Sequence, residues 1–185
     1  MPGIDQGTPG PTEAGDSGSR ARYVRPMSTA EGEVTGHRNG KVGAEASPTA
    51  VVRQFLDQLA ARDLDAAVSL LAKDVDYINV STPTIRGRER VRKVLGAAMG
   101  LPGAGFEVYF HSISSDGGVV LTERTDVLTL GPFRTQFWVC GRFDVRGGEI
   151  VLWKDYFDWM NFTMAMLRGL VGAVIPAVRA KPPLA

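Results

Sequence analysis

The sequence has little of what builds disulfide frameworks, metal centres or membrane spans. It holds one cysteine, Cys140, in 185 residues. A single thiol forms no intramolecular disulfide and suits a reducing compartment, so a cytoplasmic location is expected. Histidine is nearly as scarce: His37 and His111, with one cysteine, do not make a metal-ligand set, so no metal and no cofactor are expected. No glycine-rich phosphate loop follows a strand. No apolar run reaches the roughly 18 residues that a spanning helix needs. The nearest, 160–178, is interrupted by Arg168, Gly169, Gly172 and Pro176. One-sided charge is missing too. The formal net charge of +1 provides no global field for nucleic acid or an acidic partner.

Large apolar residues are sparse in residues 1–47, which are rich in Gly, Pro, Ser, Thr and charge. Such a stretch cannot bury enough surface to offset its ordering entropy, so a disordered N-terminal tail is expected. It carries no continuous apolar core of a secretory signal, and Met27 is an alternative start. One domain is expected over 48–180, with 181–185 as a C-terminal tail.

What is present in the domain is periodic. Ser47 and Pro48 mark a helix start, and Val51, Val52, Phe55, Leu56 and Leu59 follow helical spacing. "LDAAVSLLAKD" reads as a second helix capped by Asp63, and "GRERVRKVLGAAMG" as a third with Val91, Val94, Leu95 and Ala98 inward. "VDYINV" is a strand between them. Four further strands follow in succession: "FEVYFHSISS", "GVVLTERTDVLTL", "RTQFWVCGRFDV" and "EIVLWKDYFDW". Turns at Asp116–Gly118, Gly131–Pro132 and Arg146–Gly148 separate them. A final helical segment from about Asn161 has Phe162, Met166, Leu167 and Leu170 on one side, with Asp158 as its cap. Helices, a run of antiparallel strands and a last helix predict an α+β fold with helices over one face of a curved sheet.

In "LTERTDVLTL" strand alternation places Arg124, Asp126, Leu128 and Leu130 on one face. A two-residue turn at Gly131–Pro132 sets Val139 opposite Arg124 and Phe137 opposite Asp126, which makes that face apolar. On the last strand Trp153, Asp155 and Phe157 share a face. A three-residue loop at Arg146–Gly148 turns that face inward and sets Asp155 opposite Val139, in one row with Arg124. Arginine then bridges two carboxylates in an apolar setting, where ionised groups must be paired. The bland alternative is a surface ion pair worth little. Paired carboxylates push their pKa values apart, so one can act as acid and the other as base. Which of them keeps the proton stays open at this level. Tyr77 and Asn79 share the face of the first strand. They read either as a satisfied core tyrosine and a strand-ending asparagine, or as groups that fix a water beside a carboxylate base.

"VDYINV", "LTERTDVL" and "LWKDYFD", in that order, resemble the signatures of the limonene-1,2-epoxide hydrolase family. "LTERTDVLTLGPFRTQFWVCG" and "MLRGLVGAVIPAV" are similar to its mycobacterial branch. The resemblance covers roughly 48–180. It implies a strongly curved mixed sheet with helices forming a deep pocket, a cystatin-like cone of the nuclear transport factor 2-like or SnoaL-like kind. It implies one-step hydrolysis of a lipophilic epoxide to a vicinal diol. Asp155 would be the general base on water, Asp126 the general acid and Arg124 the bridge, while Tyr77 and Asn79 hold the water. Leu56, Leu59, Leu128, Phe137, Val139, Phe157, Phe162 and Leu170 would line the pocket, with "STPTIRG" and "MGLPGAGF" at its mouth. The branch suggests sterol- or fatty-acid-derived epoxides.

Other readings stand beside this one. A ketosteroid isomerase-like or cyclase activity on the same cone would use Tyr77 and a carboxylate, but needs no bridging arginine. A non-catalytic module for lipophilic ligands would show no turnover. Residues 162–178, flanked by Arg168, Arg179 and Lys181, could lie on a membrane surface, against the preferred reading that they close the pocket or a dimer interface. Trp138 and Cys140, on the outer sheet face, are candidates for a homodimer contact.

Overall fold

Ser47 and Pro48 start the first helix where the spacing predicts it. The computed structural model describes residues 46–181. The expected tails, 1–47 and 181–185, fall almost wholly outside the described residues. Helix α1 (Pro48–Ala60) opens with the Ser47 hydroxyl accepting from the Ala50 amide and buries Val51, Val52, Phe55, Leu56 and Leu59. It is followed by α2 (Leu64–Ser69), β1 (Leu71–Asn79), the short β2 (Ile85–Arg86) and α3 (Arg88–Met99). Four long strands come next: β3 (Ala104–Asp116), β4 (Val119–Leu130), β5 (Phe133–Arg146) and β6 (Glu149–Tyr156). Helix α4 (Trp159–Val174) and a single 3-10 turn (Pro176–Val178) close the described chain.

The strands form one curved, unclosed sheet in the order β2-β1-β6-β5-β4-β3. Only β1 and β6 run parallel, which makes the sheet mixed. Phe55 of α1 packs edge-on against Phe143 of β5 and Trp153 of β6. The core they anchor includes Val52, Leu71, Val75, Val120 and Ile150, all fully buried.

The β4–β5 register is as expected, with Leu130 opposite Phe133, Asp126 opposite Phe137 and Arg124 opposite Val139. The β5–β6 hairpin differs. Its turn has two residues, not three: Arg146 pairs with Glu149, and Gly147 and Gly148 both take positive φ, the twist a two-residue hairpin turn requires. A bulge then skips Val151, since Val145 pairs with Ile150 and Asp144 with Leu152. The bulge, not the loop, turns Trp153 and Asp155 inward. Asp155 therefore lies opposite Gly141 rather than Val139, one row away from Arg124.

Three other expectations are corrected. The second helix stops at Ser69 instead of running to Asp74, because Leu71 pairs with Ile150 of β6 and sheet pairing overrides the helical pattern. Val94 is exposed, and Val91 is the one α3 residue fully buried. On α4 the large residues Leu167 and Leu170 face outward, while Gly169 and Gly172 are buried. A Cβ at Gly169 would stand 2.9 Å from the Arg134 carbonyl oxygen, so α4 rests on β5 through small residues. Asp158 caps α4 as expected, its Oδ1 accepting from the Met160 and Asn161 amides.

Candidate active site

The two strands that carry Arg124 and Asp155 are not neighbours; β5 lies between them. Arg124 is 0 % exposed, Asp126 6 % and Asp155 5 %. The guanidinium lies across β5. Its Nε donates to Asp126 Oδ1 at 2.9 Å and its Nη2 to Asp126 Oδ2 at 3.1 Å. Nη2 also reaches Asp155 Oδ1 at 2.9 Å. This last approach is an ion-pair contact off the hydrogen-bond line, since Oδ1 accepts no hydrogen bond among the described residues. Nη1 donates to the buried Thr122 hydroxyl at 3.1 Å.

Asp155 is oriented from its other side. Trp153, two residues earlier on the same face of β6, donates its indole N–H to Asp155 Oδ2 at 2.8 Å. Trp153 is itself stacked on Tyr77, with ring centroids 3.9 Å apart. Parallel pairing sets Tyr77 beside Trp153 and Asn79 beside Asp155. The Asn79 amide donates to the Tyr77 oxygen at 2.8 Å. Oδ1 of Asp155 is thus held from one side by Arg124 and is itself buried, while Asp155 as a residue forms part of the cavity wall.

The electrostatics follow from burial. One cation and two carboxylates leave a surplus negative charge out of water, which is costly unless a proton neutralises it. Burial pushes Asp126 up from 3.8 to about 6, against the pull of Arg124 and with a further push from Asp155. Burial also lifts the Tyr77 phenol to about 12, helped by the Asp155 charge, so it stays protonated at neutral pH. Arg124 is disfavoured by burial, but the charges of Asp155 and Asp126 outweigh that and hold it above its ordinary value.

Four of the five polar residues line one cavity of about 460 Å³. Its wall includes Tyr77, Asn79, Asp126 and Asp155, and Arg124 lies just behind the two carboxylates. Leu59, Leu128, Phe137, Val139, Phe157 and Phe162 line it. Leu56 and Leu170 do not. Leu56 is fully buried in the core under α1, and Leu170 is 58 % exposed on the outer side of α4. Residues that pattern reasoning passed over complete the wall, among them Phe106, Phe133 and Trp153. Trp153 was within reach, because it shares a strand face with Asp155. Of the two mouth segments, "MGLPGAGF" contributes Met99, Leu101 and Phe106 to the wall, and "STPTIRG" contributes none. Arg62, at positive φ just past α1, clamps the first of these, donating to the backbone oxygens of Met99 and Ala104.

Buried acid–base pairs facing an apolar cavity define a site that can activate water and protonate a leaving oxygen. The comparisons name the class. Residues 46–168 match the family model described as the limonene-1,2-epoxide hydrolase catalytic domain. The chain belongs to the limonene-1,2-epoxide hydrolase family and is an enzyme of the epoxide hydrolase class. It is 46 % identical to epoxide hydrolase EphG of Mycobacterium tuberculosis (strain ATCC 25618 / H37Rv) over 129 residues, which is 70 % of this chain and 85 % of that protein. A solved structure of an M. tuberculosis LEH-like epoxide hydrolase superposes with a TM-score of 0.69 at 45 % identity, covering 72 % of this chain and 94 % of that one. A protein of ketosteroid isomerase-like fold from Catenulispora acidiphila, solved with trimethylamine, is 18 % identical with a TM-score of 0.56, over 63 % of this chain and 91 % of that one. That last likeness is one of fold alone.

Proposed function

We propose that the protein adds water to a lipophilic epoxide in one step, giving a vicinal diol. Asp155 is the general base and Asp126 the general acid, with Arg124 joining them. The observation that carries this reading is the buried Asp126–Arg124–Asp155 chain facing an apolar cavity. Tyr77 accepts from Asn79, which leaves its O–H to donate and the Asn79 carbonyl to accept. A water between them would accept from Tyr77 and donate to Asn79 and to the Asp155 carboxylate. Its remaining lone pair is free for an epoxide carbon. The water oxygen forms the new C–O bond as its proton passes to Asp155. The epoxide C–O bond breaks onto its oxygen, which takes the proton of Asp126. The resting state returns when Asp155 passes its proton back to Asp126 by way of water.

The cavity is within the ordinary range of small-molecule sites, roughly 300–1,000 Å³. Its wall is mostly apolar, which favours bulky lipophilic epoxides, sterol- or fatty-acid-derived ones among them, and a role in their detoxification. A homodimer in the cytoplasm is the assembly we favour, on the exposed Trp138 and the single free thiol. Limonene oxide, a stilbene oxide and a sterol epoxide, each given to wild type and to Asp155→Asn, test the reaction. Diol formation is expected to fall about 10²–10⁴-fold in the variant, the usual worth of a general base. Equal rates in the two proteins would remove Asp155 from the chemistry. Rearrangement of the epoxide without added water would favour the isomerase reading.

A further inference from the structure

Arg124 reaches Asp155 only by crossing β5, and the residue it crosses is Gly141. Gly141 lies opposite Asp155 on one side and Thr122 on the other. Its φ is not positive, so backbone conformation does not demand a glycine here. Space does. A Cβ built at Gly141 overlaps Arg124 Nη1, and stands 2.6 Å from Thr122 Oγ1 and 3.0 Å from Phe143 Cε2. The neighbouring inward residues of β5, Val139 and Phe143, are large and fully or almost fully buried. The gap at 141 is thus the one place in that row of β5 where a guanidinium can pass.

We propose that Gly141 is a positioning residue of the active site: with Thr122 it forms the seat for Arg124 Nη1, and any larger side chain at 141 separates Arg124 from Asp155. The inference rests on the proposed roles of Asp126 and Asp155. The guanidinium is planar and rigid, so moving Nη1 also moves Nε and Nη2 off Asp126. What yields to an added methyl is the far end of a side chain, not backbone, so the fold tolerates it while the site does not.

Withdrawing Arg124 removes a charge that lowers the Asp126 pKa, so Asp126 should titrate higher than in wild type. The other charged or titratable groups around it are Asp155 on β6, Tyr77 on β1 and, farther along the cavity, Arg62; the inward β5 residues Phe137, Val139 and Gly141 bring none.

The test compares wild type with Gly141→Ala, Thr122→Val and Thr122→Ser. Two quantities are read: kcat and KM on an epoxide that wild type hydrolyses, and the Asp126 carboxyl titration by carbon NMR. In Gly141→Ala kcat is expected to fall on the order of a hundredfold, the cost of a misplacement of about 1 Å, with KM changed far less. Its Asp126 titration should move upward from the wild-type position. Thr122→Val should shift both readouts in the same direction, and Thr122→Ser, which keeps the hydroxyl, should restore them. Wild-type kcat and an unmoved Asp126 in Gly141→Ala would overturn the proposal. If Gly141→Ala does not fold, the Val and Ser variants decide it, and a Thr122→Val protein that matches wild type overturns it. If wild type hydrolyses no epoxide, the proposed function fails, while the titrations still report whether Gly141 places Arg124.

Discussion

Asp126 is the residue whose environment most directly shapes the pH behaviour. In its proposed role as the acid it works only while protonated, so kcat/KM should decline as pH rises through about 6. A bound apolar substrate excludes water and raises that value, so the decline in kcat should lie at higher pH than the decline in kcat/KM. Stability carries the same signature. The folded pKa lies above the unfolded one, so the contribution of Asp126 is complete below about 4 and is lost as pH rises through about 6. Urea unfolding of wild type and Asp126→Asn across that window should show wild type losing ground to the variant toward neutral pH; a constant difference would contradict the burial of the group. Removing the cation is more severe. Arg124→Met leaves two carboxylates facing each other, which should cost about 3–5 kcal/mol at neutral pH and less where Asp126 is protonated. These residues were legible in the sequence because the 124–126 pair and Asp155 each fall on an apolar strand face. Thr122 and Gly141 were not, since nothing in a local pattern marks a residue that matters by the room it leaves.

At the scale of elements, periodicity found the helices and strands but not every boundary or face. The inward turn of Asp155 depends on a bulge at Val151, and no residue type announces a bulge there. A loop with a positive-φ glycine gave the right face by the wrong route and placed Asp155 two residues too far along β5. Helix α4 was misread because apolar size was taken as a sign of burial. Its packing face holds Phe162, Ala165, Gly169 and Gly172, while Leu167 and Leu170 point outward. Leu170, which the family resemblance set in the cavity wall, lies on that outer side. Leu56 was misplaced for a different reason: α1 spans both the core and the cavity, and only Leu59 of that pair is at the cavity end. Paired substitutions separate these roles. Leu56→Ala should destabilise by about 2–5 kcal/mol with KM unchanged in the folded enzyme. Leu170→Ala should alter monomer stability by no more than about 0.5 kcal/mol. A raised KM in Leu56→Ala with intact stability would mean the leucine faces substrate after all.

At the scale of the molecule, two groups stand out among the exposed apolar residues of the described chain. Trp138 and Tyr156 lie on the outer face of the sheet, and Met160, Met164, Leu167, Leu170 and Val174 on α4. Exposed surface of this kind marks interaction sites when it is contiguous. Trp138→Glu should lower the mass measured by sedimentation if the outer sheet face joins two copies, and leave it unchanged if α4 does. A chain beginning at Ala46, the first residue matched by the family model, should keep the hydrolysis rate of the full chain. In the proposed reaction water attacks the epoxide directly and Asp155 takes its proton. Single-turnover hydrolysis in heavy-oxygen water, with enzyme in excess over epoxide, reads this most directly. Diol carrying the label from the first turnover is the expected result. Unlabelled diol in that turnover would mean that a protein carboxylate supplies the oxygen, and one-step hydrolysis by the Asp155–Arg124–Asp126 chain would be wrong.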